Sequence, residues 1–175
     1  MAKSSRDLST APDQAFVLVD PGVYILRVAS HKDGYTDDGA TSVKVKIDIV
    51  AKIDTKTKLV AAKPDGATLN KTIADTEKAA WFAKKWQNAL GLPLAGWDSD
   101  EWDGKEFLAD IERGDFTNDD GKTIAFNQLG ELYPSTKYLE VLAANKAALA
   151  TPQASTPPAQ QQAPATVTAA NYDLG

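Results

Sequence analysis

Val43-Lys44-Val45-Lys46-Ile47-Asp48-Ile49 alternates apolar and charged residues without a break. Successive side chains of a strand point to opposite faces, so Val43, Val45, Ile47 and Ile49 turn toward a core while Lys44, Lys46 and Asp48 stand outside. The stretch predicts a half-buried strand with a lysine-bearing outer face. Upstream, His31 to Ala40 holds two Asp-Gly pairs, Asp33-Gly34 and Asp38-Gly39, which predict a loop leading back to an earlier strand. That strand runs from Val23 to Ala29, is apolar on both faces except at Arg27, and follows the turn residues Asp20-Pro21-Gly22. The short apolar run Phe16 to Val19 opens the domain.

Downstream, the polar link Asp54 to Lys58 leads to Leu59-Val60 and, past Pro64-Asp65-Gly66, to a weaker strand around Leu69 to Ile73. A helix follows, capped by Asp75 or Thr76, with Glu77 at the positive end of its dipole and Gly91 and Pro93 ending it. At 100° per residue, Ala79, Phe82, Ala83, Trp86, Ala89 and Leu90 form a packing stripe, and Trp81 falls opposite, among Lys78, Lys85 and Asn88. After an acidic turn flanked by Trp97 and Trp102, which are expected to cover the end of the core, Glu106 to Glu112 and Lys122 to Asn127 read as two more strands. Asn118-Asp119-Asp120-Gly121 joins them as a hairpin turn. Three strands, a helix and two strands is the order of a mainly β, five-stranded OB-fold-like barrel with one helix between strands three and four. The expected organisation is a flexible arm over residues 1–14, a barrel domain over 15–131, a short C-terminal helical segment over 132–150, and a disordered Pro/Gln/Ala-rich tail over 151–175.

Composition narrows the chemistry. With no cysteine and one histidine in 175 residues, neither a disulfide frame nor a thiolate or multi-histidine metal site can form. No metal or other cofactor is expected. No apolar run approaches the ~20 residues of a membrane span, so the expectation is a soluble cytoplasmic protein without a membrane partner. The net charge is −5, unevenly spread: residues 23–97 carry twelve Lys/Arg against eight Asp/Glu, residues 98–131 three against eleven. One part can face an anion while the other keeps the protein soluble, although ordinary solvated surfaces would look the same.

Catalytic patterns are missing. Asp98-Ser99-Asp100-Glu101-Trp102-Asp103-Gly104 approaches a calcium loop, but Trp102 occupies the fifth position and glycine comes one place late. Asp115 to Gly121 fails in the same way. There is no phosphate loop, nucleophile elbow or histidine-carboxylate cluster in sequence, so the chain is not expected to be an enzyme.

Nucleic-acid binding asks for cations to meet phosphates and exposed rings on which bases stack. In an oligonucleotide-binding barrel the second and third strands, with the first and the fourth-to-fifth loops, make the binding face. That arrangement places Lys44, Lys46, Tyr35 and Lys71 near one another, with Arg27 and Tyr24 on the adjacent strand. Tyr24 also suits a core position with its hydroxyl at the edge, whereas Tyr35, in a loop, has fewer partners. For the outward Trp81, contact with the C-terminal helix or with a second copy in a homo-oligomer is the expected role.

Pro21-Gly22-Val23-Tyr24 starting a strand, the lysine-rich alternating strand, Trp81 through Ala89-Leu90-Gly91 ending the helix, and Asp103-Gly104-Lys105-Glu106-Phe107 starting the next strand occur together. In this the chain resembles, over residues 15–130, a family of small bacteriophage proteins of long-unassigned function encoded near replication and recombination genes. The resemblance implies a single-stranded DNA-binding protein of the host-cell cytoplasm, acting in replication or recombination. It also implies that replication or recombination proteins are recruited through the C-terminal tail, though the tip Asn171-Tyr172-Asp173-Leu174-Gly175 has one aspartate where an acidic tip is usual. The alternative is a structural or interaction protein, such as a capsid-associated factor, with the barrel as scaffold and the tail as tether.

Overall fold

The alternating stretch is the hub of the fold. In the computed structural model, which describes residues 17–150, it is the middle of strand β2 (Thr41–Ile53). One edge of β2 pairs antiparallel with β1 (Gly22–Tyr35), and the other with both β4 (Thr68–Ala74) and the short β3 (Val60–Ala62). The far edge of β1 pairs with β5 (Glu106–Thr117), which in turn pairs with β6 (Thr123–Leu132). The described residues are mainly β: one six-stranded antiparallel sheet and two α-helices, α1 (Ala80–Leu90) and α2 (Ser135–Ala150). The expected arm, residues 1–14, and tail, residues 151–175, lie outside the described residues.

Three features differ from the sequence expectation. The sheet is open, because no ladder joins β4 to β6, where a closed five-stranded barrel was expected. Side chains take over at that seam. Buried Asn127 of β6 accepts from Val19 N (3.0 Å) and donates to Val17 O (2.8 Å) and Thr68 O (3.3 Å), holding the N-terminal segment and β4 against β6. A sixth strand, β3, has only three residues, too short to show a period. Finally, the expected loop from His31 to Ala40 is half strand: β1 continues to Tyr35 because Ser30 to Tyr35 pair with Thr41 to Lys46, and Asp33-Gly34 lies inside that ladder. The turn itself is Thr36 to Ala40, closed by Gly39 N donating to Thr36 O (2.9 Å).

Bulges divide the sheet's two faces between two cores. Leu26 pairs with Ile49 and Ile25 with Ala51, leaving Val50 unpaired, so β2 changes the side to which its odd-numbered residues point. Before the bulge, Val43, Val45, Ile47 and Ile49 enter the larger core with Leu26, Val28 and the buried face of α1. After it, Ala51 and Ile53 join Ile25, Leu108 and Val141 of α2 in a second core on the opposite face.

Helix α1 forms as its stripe predicts. Thr76 caps a leading 3-10 turn (Glu77–Ala79) by accepting from Ala79 N, and Gly91 closes the helix at a φ of 71°, a left-handed conformation that glycine adopts without steric cost. Trp86 packs edge-to-face on Phe107 (5.1 Å between centroids) and on Trp102 (5.7 Å), and all three are fully buried. Trp97 stacks on Trp102 at 4.8 Å. Buried Gln87 fixes the following loop, accepting from Trp102 Nε1 (3.1 Å) and donating to Pro93 O (3.2 Å) and Gly96 O (3.0 Å). Helix α2 docks on its own sheet. Val141 enters the second core, Asn145 accepts from Val60 N and donates to Lys58 O (both 2.9 Å), and Tyr138 donates to Glu106.

Candidate nucleic-acid interface

On the hairpin of β1 and β2, register decides which charges meet. Lys32 stands directly opposite Lys44, and Lys46 opposite Ser30. Across the other edge, Lys44 faces Thr72 and Lys46 faces Asn70 of β4. Lys32, Lys44 and Lys46 are exposed, share the face turned away from the larger core, and none is ion-paired with a carboxylate among the described residues. Like charges directly opposite one another on a sheet are destabilising by a few tenths of a kcal/mol up to about 1. An anion laid along the row would relieve that repulsion.

One end of the row is bounded by α2. There Arg27 donates through Nε and Nη2 to Glu106 Oε1 (3.1 and 3.0 Å), and Glu106 also accepts from Tyr138. Burial, with the Glu106 bond, pushes the Tyr138 hydroxyl well above its ordinary range and keeps it a donor. Arg27 is thus already engaged where the lysines are not.

The remaining sequence candidates separate. Tyr24 is 2% exposed and its hydroxyl donates to Asp20 O (2.7 Å), so it is a core ring and no platform for a base. Its side of β1 is the one that alternation turns inward. Lys71 sits opposite Val45, hence on the reverse face of β4 from Asn70 and Thr72, with Nζ 4.5 Å from the Phe82 ring centroid. It does not join Lys44 and Lys46, because one residue of offset in a strand is a change of face. Tyr35 is 79% exposed, as its placement near the hairpin tip suggests. By alternation it too stands on the reverse face from Lys32, lining a cleft of about 600 Å³ with Asp33, Asp75, Trp97 and Asp98.

Lys32 is missing from the sequence candidates, since it falls in the loop expected over His31 to Ala40. Folding the chain about Thr36 to Ala40 instead would have paired residue 35 with 41 and brought Lys32 to Lys44.

Behind the row, on the reverse face, His31 gathers three carboxylates. Nδ1 lies 2.9 Å from Asp103 Oδ1, and Nε2 lies 3.2 Å from Asp100 Oδ1 and 4.0 Å from Asp33 Oδ1. Ser99 Oγ donates to Asp33 Oδ1 (2.9 Å). The Asp103 hydrogen bond holds the imidazole above its ordinary pKa, against the opposing effect of burial. A ring with both nitrogens aimed at carboxylates fits the imidazolium, which ties the acidic turn at residues 98–103 to β1.

No protein-family model and no curated protein matches this chain. No helix among the described residues is long and apolar enough to cross a membrane.

Proposed function

We propose that the chain is a non-catalytic, largely sequence-independent binder of single-stranded DNA, of the kind that serves bacteriophage replication or recombination. The observation that carries this reading is the row of Lys32, Lys44 and Lys46, three uncompensated cations on one sheet face of a protein whose net charge is −5. Such a row neutralises successive phosphates with no requirement on sequence. Support also comes from connectivity: β1 lies between β2 and β5, β4 pairs with β2, and α1 falls between β4 and β5. This reading makes β1, β2, β4, β5 and β6 an oligonucleotide-binding fold left open between β4 and β6, with the lysine row on its ligand-binding face.

The test is a fluorescence titration with a dT oligomer and a duplex of matched length, at low and moderate salt. Tight, salt-sensitive binding of the single strand is expected. Replacing all three lysines by alanine should lower the slope of log K against log salt by about 2, since each phosphate contact to a single strand contributes about 0.7. An unchanged slope in the triple variant would remove the lysine row from the account.

A second reading, a structural or interaction protein such as a capsid-associated factor, is favoured by the uncovered leucines of α2, Leu139, Leu142 and Leu149. It predicts a discrete assembly by light scattering that forms equally with and without DNA.

A further inference from the structure

The outward side of α1 carries a second cationic and aromatic surface. Of the four tryptophans, Trp86 and Trp102 are fully buried and Trp97 stacks on Trp102, whereas Trp81 is 63% exposed. Its ring meets Phe82 edge-to-face (5.8 Å), and Lys85 Nζ lies 5.8 Å from its centroid. Lys85 also pairs with Glu131 (2.9 Å), but Lys71, Lys78 and Lys84 have no carboxylate partner among the described residues. An open tryptophan among lysines with uncommitted charge combines a stacking platform with phosphate contacts.

This surface is continuous with the lysine row around one strand. Among the described residues, strand β4 pairs with β2 along one edge and with no strand along the other, where Asn127 alone reaches it through Thr68 O. That free edge borders two adjoining clefts, one of about 450 Å³ against β6 and one of about 380 Å³ against α1, and Lys71 lines both. A chain leaving Lys44 and Lys46 passes Thr72 and Asn70 on the outer face of β4, crosses the free edge, and meets Lys71 and then Trp81.

Resting on the single-strand-binding reading, we propose that a bound single strand wraps the free edge of β4. One of its bases stacks on Trp81, and its phosphates meet Lys71 and Lys78, which line the same cleft as that ring. The lysine row is the first contact and the α1 surface the second, so the two are engaged in order of oligomer length.

The test compares wild type, Trp81→Phe and Trp81→Ala against dT oligomers of about 6 and about 30 nucleotides, one near the short end of the span of one such fold and one beyond it. The longer oligomer should quench the part of the emission that Trp81→Phe removes and shield it from acrylamide, whereas the shorter should bind and leave it unchanged. Trp81→Ala should weaken the longer oligomer roughly 5- to 150-fold, the range for losing one stacked base, and the shorter by less than about twofold. If the longer oligomer binds with the salt dependence of the lysine row, yet neither quenches Trp81 nor loses affinity in Trp81→Ala, the wrap is overturned and single-strand binding stands. If neither oligomer binds at low salt, both readings fall together. If Trp81 is shielded from acrylamide without DNA, and light scattering shows Trp81→Ala dissociating a dimer, the surface belongs to a second copy of the chain and the wrap is again overturned.

Discussion

At the residue scale, two buried indoles in the same cluster have opposite hydrogen-bond circumstances. Trp102 donates to Gln87, whereas the Trp86 N–H has no acceptor among the described residues. Trp102→Phe should therefore cost more stability than Trp86→Phe, although both rings are fully buried, because the first strands the Gln87 carbonyl oxygen and the second removes an orphan donor. Gln87→Leu, which strands the Trp102 donor and two loop carbonyls together, should lower the unfolding free energy by about 2–3 kcal/mol in denaturant titration. His31 adds a pH dependence. Its folded-state pKa is raised, so its contribution is full below the ordinary histidine value of about 6.5 and is lost as pH climbs through the folded value. Thermal stability should fall over that window in wild type and stay flatter in His31→Gln; parallel profiles would show that the clamp on Asp33, Asp100 and Asp103 contributes nothing. Single residues were legible where they sat in a period. Lys44 and Lys46 were placed by alternation, and the same alternation of Leu69, Lys71 and Ile73 turns Lys71 to the core side, whereas Lys32 depended on a turn position that composition does not carry.

Elements were more legible than residues. The stripe of α1, its Thr76 cap and its Gly91 end all stand where the pattern put them, because each depends on neighbours within one helix. Helix α2 was expected over residues 132–150, but the sequence left its docking partner open: Leu132, Leu139, Leu142 and Leu149 suited either the sheet or another subunit. What seats it is Val141 with Tyr138 and Asn145, a mixed apolar and hydrogen-bonding set that no hydrophobic periodicity describes. Val141→Asn should detach this helix at a cost of about 2 kcal/mol or more. Hydrogen exchange would then speed up across residues 135–150 while Leu26, Val28 and Ile47 in the larger core keep their protection. Uniform loss of protection would mean instead that the two cores unfold as one.

For the whole molecule, the uneven charge of the sequence becomes a polarity in space. The lysine-bearing residues 23–97 build β1 to β4 and α1, and the acidic residues 98–131 build most of β5 and β6, including the hairpin with Asp115, Asp119 and Asp120. Such a field orients an incoming anion and repels it from the wrong side. Asn substitution of those three aspartates should tighten single-strand binding at low salt, with the gain fading above about 0.15 M as screening sets in. An effect that survives high salt would point to direct contact instead. The mainly β character was legible at this scale, whereas the three-residue β3 and the open seam were not, since β3 is too short to show a period and Asn127 spans the seam as one side chain outside any pattern. The bulge at Val50 bears on inheritance. Loss of Val50 itself would keep every face, since Ile49 and Ala51 would then be ordinary neighbours on opposite sides of the sheet, whereas loss of a residue elsewhere in β2 would exchange the faces of the residues on one side of it, sending lysines into a core or Ala51 and Ile53 out of theirs. Descendants of this gene can lengthen or shorten at the hairpin tips or drop the bulge, but elsewhere in β2 they must keep the count or change it together with β1.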